Sequence, residues 1–290
     1  MDLIDLQIIR KLFINSRIPY RELANQIGLT VGAVHKRVQL LIETGLIKTF
    51  IARPSLSFLN AVFINIAGAS KLQSFENIVE ELEKNPYTIL LGLSTVNYVY
   101  ITAILRNISE MHEVTSTLTQ LCKIDDPLIV IYDYPRQKIE GTLSRIDYLI
   151  LKSLNRNSRK SVTDVADEIG LSSKTVSKHI NNMLMNNLAS FSIEFEPSQE
   201  NDIVTIYSAN IPKNADMKVM INKITQKLSQ NLLYIRTYSN APLFLSIHIL
   251  VQTLGKIKYF EDILRDFGLE DIIPRVIHKA YYFKCWLDDF

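Results

Sequence analysis

Two groups of polar and basic side chains, offset by 142 residues, carry the chemistry this chain can do. The first is Thr30, Val31, Gly32, His35, Lys36, Arg37 and Gln39, followed by Lys48 and Arg53. The second is Ser173, Lys174, Thr175, Ser177 and Lys178, with His179 beside them. Lysine and arginine attract phosphates and read guanine edges, and glutamine reads adenine. A glycine lets a helix approach closely, and a valine can meet a thymine methyl. The neighbouring residues decide whether such groups are presented together. Leu23, Ala24 and Ile27 share one helical face, Gly28 supplies a left-handed turn, and Leu29 plugs the corner. Thr30 is an N-cap, and Val34, Val38, Leu41 and Ile42 are expected as the buried stripe of the next helix, which Gly45 ends. A helix, a glycine turn and a second helix with a basic outer face form a helix-turn-helix, whose second helix enters the DNA major groove. The plain alternative for Lys36 and Arg37 is a solvated face.

Other chemistry finds little support. Cys122 and Cys285 are far apart and make neither a disulfide framework nor a metal cluster. The five histidines lack metal-ligand spacing, and His248 reads as a strand histidine on the face of Phe244 and Ser246, opposite Leu245, Ile247 and Ile249. Phosphate-binding glycine loops and nucleophile motifs are missing, so no catalytic residue, metal or cofactor is expected. The N-terminus does not read as a signal peptide, and no apolar run would span a bilayer, so a cytoplasmic protein without membrane association is expected.

With 290 residues and 47% apolar composition, the chain has material for several cores. Net charge is +2, so a nucleic-acid surface must be local. Residues 1–55 carry net +4, residues 56–141 net −4 and residues 142–196 net +1. The cationic surface therefore lies at the first helix-turn-helix, and the second head is expected to bind DNA more weakly.

Along the chain, a helix over residues 4–15, the helix-turn-helix and a wing strand at 46–51 give a winged unit at 1–55. A strand at 61–67, a helix at 72–82, strands at 87–93 and 98–105, a helix at 108–121 and a strand at 127–132 follow. That βαββαβ order predicts a ferredoxin-like unit at 56–141, a four-stranded sheet covered on one face, whose bare face meets another sheet. A shift of 142 residues then lays Asn15-Ser16-Arg17 on Asn157-Ser158-Arg159 and Ile27-Gly28-Leu29 on Ile169-Gly170-Leu171. A second winged helix-turn-helix is expected at 142–197. A second ferredoxin-like unit follows at 198–290, its last strand at 277–283. The fold class is α+β, and the clearest joint is 134–142, with Pro135 and Gly141. Tyr281, Tyr282, Phe283 and Trp286 read as core or interface.

The run DLQIIRKL…ELANQIGLTVGAVHKRVQLLIETGLI resembles the DNA-binding domain of the Lrp/AsnC (feast/famine) transcriptional regulators. The resemblance covers residues 2–55, weakens over 56–134 and recurs in degraded form over 143–290. It implies double-stranded DNA as partner, a small-molecule effector, and oligomers formed through the sheet domains. Members usually carry one copy, so two copies imply an intrachain pseudo-dimer and a dimer of such chains. The family turn before the third sheet strand commonly carries glycine and an acid near the effector. Here it reads Ser94-Thr95-Val96-Asn97, and Ser239-Asn240-Ala241-Pro242 in the second copy. Two alternatives share the architecture. One is an enzyme similar to the sirohaem decarboxylases, for which His248, Arg236, Arg275 and His278 are the candidates. The other is an adaptor that pairs with related regulators without binding DNA.

Overall fold

The computed structural model describes residues 1–134, 138–196 and 203–289. Pro135 and the expected boundary at 197 lie outside the described residues. No helix among these is long and apolar enough to cross a membrane.

The first head consists of α1 (Leu3–Ile14), α2 (Tyr20–Ile27), α3 (Val31–Glu43) and β1 (Ile47–Pro54). A reciprocal cap starts α1: the Asp5 N–H donates to Asp2 and the Asp2 N–H donates to Asp5, at 2.8 and 2.9 Å. Gly28 ends α2 at φ +73°, a conformation that a side chain resists, and this sets the corner of the helix-turn-helix. Leu6, Ile9, Leu12, Leu23, Val34, Val38 and Leu41 are buried together. Ile42 departs from the expected stripe and is 37% exposed. At 100° per residue it has already turned off the face that Val34, Val38 and Leu41 bury.

After a short α4 (Leu56–Leu59), the first sheet unit runs β2 (Val62–Ala69), α5 (Glu76–Glu83), β3 (Thr88–Ser94), β4 (Tyr98–Leu105), α6 (Met111–Leu121) and β5 (Leu128–Ile131). The second head is α7 (Arg145–Leu154), α8 (Val162–Ile169), α9 (Ser173–Met185) and β6 (Ala189–Phe195). Its sheet unit is β7 (Ile203–Asn210), α10 (Met217–Lys227), β8 (Leu232–Thr237), β9 (Phe244–Val251), α11 (Gly255–Asp266) and β10 (Glu270–Tyr282). Thus α5 is shorter than expected, and β10 is nearly twice as long as its expected 277–283.

Long-range pairing explains β10. Its first half pairs with β7 and its second half with β3, so one strand carries the backbone from one sheet into the other. The eight strands then follow the order β5-β2-β4-β3-β10-β7-β9-β8. The two ends also meet: the Asp133 N–H donates to the Thr237 carbonyl at 2.8 Å, and the Ser239 N–H to the Ile131 carbonyl at 2.9 Å. Asn240 latches this seam, accepting from the Ile131 N–H and donating to the Ile129 carbonyl. The sheet therefore curls on itself, with the helices outside.

Period-two alternation assigns the faces. Ile64, Ile66, Leu91, Val99 and Ile101 pack under α5 and α6 with Leu82, Val114 and Leu118. Leu245, Ile247, Ile249 and Tyr207 pack under α10 and α11 with Ile224 and Leu264. Each fully buried leucine or isoleucine contributes about 1.5–3 kcal/mol. The other faces turn toward one another, as the bare-sheet argument expects. The two free cysteines are buried.

The strand expected as a wing finds an unexpected partner. β1 pairs antiparallel with β6, from Phe50 opposite Ile193 to Pro54 opposite Ala189. Each head's core borrows from the other's strand: Ile193 and Phe195 enter the first, and Ala52 the second. Val204, Leu233 and Leu250 also join the first core, which seats that head on the second sheet.

Candidate functional site

In the first head, α3 presents Thr30, Val31, Gly32, His35 and Lys36 to solvent, with Gln39 half-buried beside them. The Thr30 hydroxyl accepts the Ala33 N–H at 3.2 Å, so it is spent on starting the helix. His35 packs edge-on against Tyr20, with ring centroids 5.3 Å apart. Lys36 has no carboxylate partner among the described residues.

Arg37 is different. Its guanidinium donates to Asp5 at 2.7 Å and to Asp2 at 2.8 Å. Asp5 and then Asp2 raise its pKa further, so the charge is held against α1. The same contact recurs 142 residues on, where His179 meets Asp147 at 2.8 Å. Burial alone would raise the Asp147 pKa; hydrogen bonds from Ser144 and His179 outweigh it and hold the carboxyl below its usual range. In both heads this position ties the recognition helix to the first helix.

Arg53 points inward rather than to the outer surface of the head. It is 8% exposed and bidentate to Asp288 at 2.8 and 2.9 Å, with Glu194 at 3.8 Å. Burial against acids remote in sequence overrides the expectation of a phosphate contact. Lys48 is exposed and pairs with Glu196 at 2.8 Å. In the second head, Ser173, Lys174 and Lys178 are exposed, while Thr175 and Ser177 are half-buried. Ser172 caps α9 by accepting the Thr175 N–H at 3.1 Å. Neither lysine has a carboxylate partner among the described residues.

The repeated Asn-Ser-Arg run joins the heads. Ser16 Oγ lies 2.5 Å from Ser158 Oγ, an offset of 142 residues, which places the pair on a local pseudo-twofold axis. Arg17 donates to the carbonyls of Ser158 and Lys160, and Arg159 reciprocates to those of Ser16 and Ile18. Arg159 also lies 4.2 Å above the Tyr20 ring. The expected repeat marks this contact in sequence; its role as a clasp needs the fold.

Between the inward sheet faces lies a cavity of about 660 Å³. One side carries Asn65, Tyr100, Thr102 and Tyr132; the other carries Tyr234, Arg236, Tyr238 and His248. Its remaining wall includes Phe13 of α1 and Ile51, Phe191, Ile193 and Phe195 of the ribbon between the heads. Arg236 lies 4.5 Å from the Tyr234 ring centroid and 5.2 Å from that of Tyr132. His248 lies tilted against Tyr234, with ring centroids 4.2 Å apart. Burial first, and Arg236 second, push the His248 pKa down to about 3, so the imidazole is neutral at physiological pH. These side chains are surrounded by protein yet keep accessible surface, because that surface faces the cavity. Arg236 and His248 are thus brought together, whereas His278 is exposed and Arg275 lies over Tyr98 at 3.7 Å. His112 is exposed, and no metal-binding group is found among the described residues.

The turn at 94–97 places Val96 at φ +60° and 92% exposed. Asn97 ties it down by donating to the carbonyls of Ser70 and Leu72 at 2.6 and 2.7 Å.

Residues 1–42 match the AsnC-type helix-turn-helix domain, and residues 143–188 match a winged helix-turn-helix DNA-binding family. The regulatory protein AsnC of Haemophilus influenzae is 30% identical over 125 residues, which cover 42% of this chain and 83% of that protein. The transcriptional regulator FL11 of Pyrococcus furiosus is 31% identical over 133 residues, or 42% of this chain and 88% of that one. Among solved structures, the sirohaem decarboxylase NirDL superposes with TM-score 0.60 at 13% identity, covering 98% of this chain and 94% of that one. Its complex with an iron-uroporphyrin III analogue gives 0.58 at 14%, covering 98% and 93%. These two likenesses speak to the fold.

Proposed function

The chain belongs to the Lrp/AsnC family of helix-turn-helix transcriptional regulators, and from that premise we propose that it binds DNA as a dimer-like regulator contained in one polypeptide. The observation that carries this reading is the clasp at Ser16 and Ser158, which relates two exposed recognition helices by a local pseudo-twofold axis. Two-fold related recognition helices read two half-sites roughly 10 bp, or a multiple of it, apart. Val31, Gly32, His35, Lys36 and Gln39 would meet bases and phosphates in the first major groove. Ser173, Lys174, Thr175, Ser177 and Lys178 would do so in the second, with Lys48 reaching a phosphate once freed from Glu196. The first head supplies more of the affinity, because its surroundings are more cationic. We take the four units to run 1–55, 56–141, 142–197 and 198–290, in a protein of the cytoplasm.

Selection of genomic fragments on the full chain, followed by anisotropy titration of the enriched site, tests this. Lys36→Ala with Lys174→Ala and Lys178→Ala should weaken binding and flatten its salt dependence. A triple variant that binds like the wild type would sink the reading, and failure to select any site would favour the adaptor. Assembly of two chains through their sheet units is a separate part of the proposal. A solution mass of one chain at the DNA-binding concentration counts against it.

The cavity supports a second reading, an enzyme on the same scaffold with Arg236 and His248 facing a tetrapyrrole. A purified chain that takes up an iron porphyrin carboxylate with a Soret band would favour it.

A further inference from the structure

The charge inventory of the cavity wall is small. Among the described lining residues, the charged ones are Arg53, Glu194 and Arg236. Glu194 is held bidentately by Arg156 at 2.8 Å, and Arg53 is held by Asp288. Those charges cancel locally. Among the described residues, Arg236 alone faces the cavity without a carboxylate. A buried, uncompensated cation is costly, and ring faces offset only part of the lost hydration. An anion arriving beside it would regain that energy through charge-assisted hydrogen bonds. Around Arg236 the wall is aromatic: Tyr132, Tyr234 and Tyr238, with Phe63 stacked on Tyr132 at 4.3 Å. A neutral His248 adds a flat face without charge.

We propose that the cavity is a binding site for a small monoanion with a flat, apolar body, a carboxylate that meets Arg236 while its ring stacks on the neighbouring tyrosines. The volume of about 660 Å³ falls within the roughly 300–1,000 Å³ of small-molecule pockets. The wall also says what the ligand is not. Among the described residues it offers no free carboxylate to an ammonium group, so the amine of an α-amino acid meets only neutral oxygens there. One free arginine among the described residues also suits a monoanion better than the many carboxylates of a uroporphyrin-type macrocycle, the ligand of the second reading. The site goes beyond the regulator reading and does not depend on DNA binding.

Calorimetric titration of the full chain with three probes of one skeleton tests it: indole-3-propanoate, its neutral amide and L-tryptophan. The acid should bind about tenfold tighter than either, a difference of about 1.4 kcal/mol. Arg236→Met should reduce the acid to the level of the amide, and Arg236→Lys should keep the preference. The site is overturned if acid and amide bind equally, if tryptophan binds tightest, if no probe gives heat at millimolar concentration, or if the preference survives in a folded R236M. Should R236M not fold, the wild-type comparison decides alone. Iron uroporphyrin binding that excludes indole-3-propanoate would also overturn it.

Discussion

Lys36 and Arg37 are adjacent in the recognition helix, and the structure separates what they do. Lys36 is exposed and has no carboxylate partner among the described residues, so its partner in the proposed complex is a phosphate. Each phosphate neutralised on duplex DNA adds about 0.9 to the slope of log affinity against log salt. Between about 50 and 200 mM salt, that slope amounts to roughly 3.5-fold in affinity per contact. Lys36→Ala should therefore reduce the loss of binding over this interval by roughly 3.5-fold and leave the melting temperature unchanged. Arg37 is tied to Asp2 and Asp5, whose side chains are 52% and 11% exposed. Its removal lies between the ~0.2–1 kcal/mol of an exposed pair and the ~3–5 kcal/mol of breaking a buried one, so about 1–2 kcal/mol is expected. That corresponds to roughly 2–3 °C in a chain of this size. Part of the loss tracks pH. Asp2 has a lowered pKa, against the pull of burial, through hydrogen bonds from Asp5, Arg37 and Ile4. Its contribution is present above its ordinary value of 3.8 and is lost as pH falls below that. Salt-dependent anisotropy and thermal melts on the two single variants decide the matter. An unchanged salt slope in K36A, or a slope change in R37A without loss of stability, would refute the reasoning.

Four further outcomes are expected. Arg53→Met should cost about 3 kcal/mol or more in denaturant melts, because it leaves the buried Asp288 unpaired, with no change in the DNA salt slope. His248→Phe should flatten the pH dependence of stability between the ordinary 6.5 and the folded value of about 3. There the unfolded chain binds a proton that the folded chain refuses, so wild-type stability falls on acidification by up to about 1.4 kcal/mol per pH unit; parallel curves would count against it. Val96→Gly should raise stability by up to about 1 kcal/mol, since a β-branched residue resists the left-handed region; a lower denaturation midpoint would argue that the turn is unstrained. Because the cavity wall includes Phe13 and the inter-head ribbon, indole-3-propanoate should change DNA affinity about fivefold or more. An unchanged titration with the cavity occupied would uncouple it from the heads.

The sequence by itself determined what is local. Gly28 and Gly170 at matching turns, Thr30 and Ser172 at matching caps, and the stripe Val34, Val38 and Leu41 specify helix-turn-helix units through spacing and backbone freedom alone. The alternation that puts Ser246 and His248 opposite Leu245 and Ile247 is equally readable, since it depends only on the pleat. The 142-residue repeat, which lays Asn15-Ser16-Arg17 on Asn157-Ser158-Arg159, likewise made the second head legible. Partners distant in the chain were not legible. Arg37 and Arg53 both read as cations for DNA, because no sequence signal brings Asp2 and Asp5 under one or Asp288 against the other. The wing strand became a ribbon only when β6 arrived as its partner, and β10 doubled its length only when β3 lay at the end of β7. Arg236 and His248 sit on strands whose periodicity places them inward. Whether that interior is packed or open depends on how far apart two curved sheets come to rest, a sum of packing interactions that no short stretch of chain encodes.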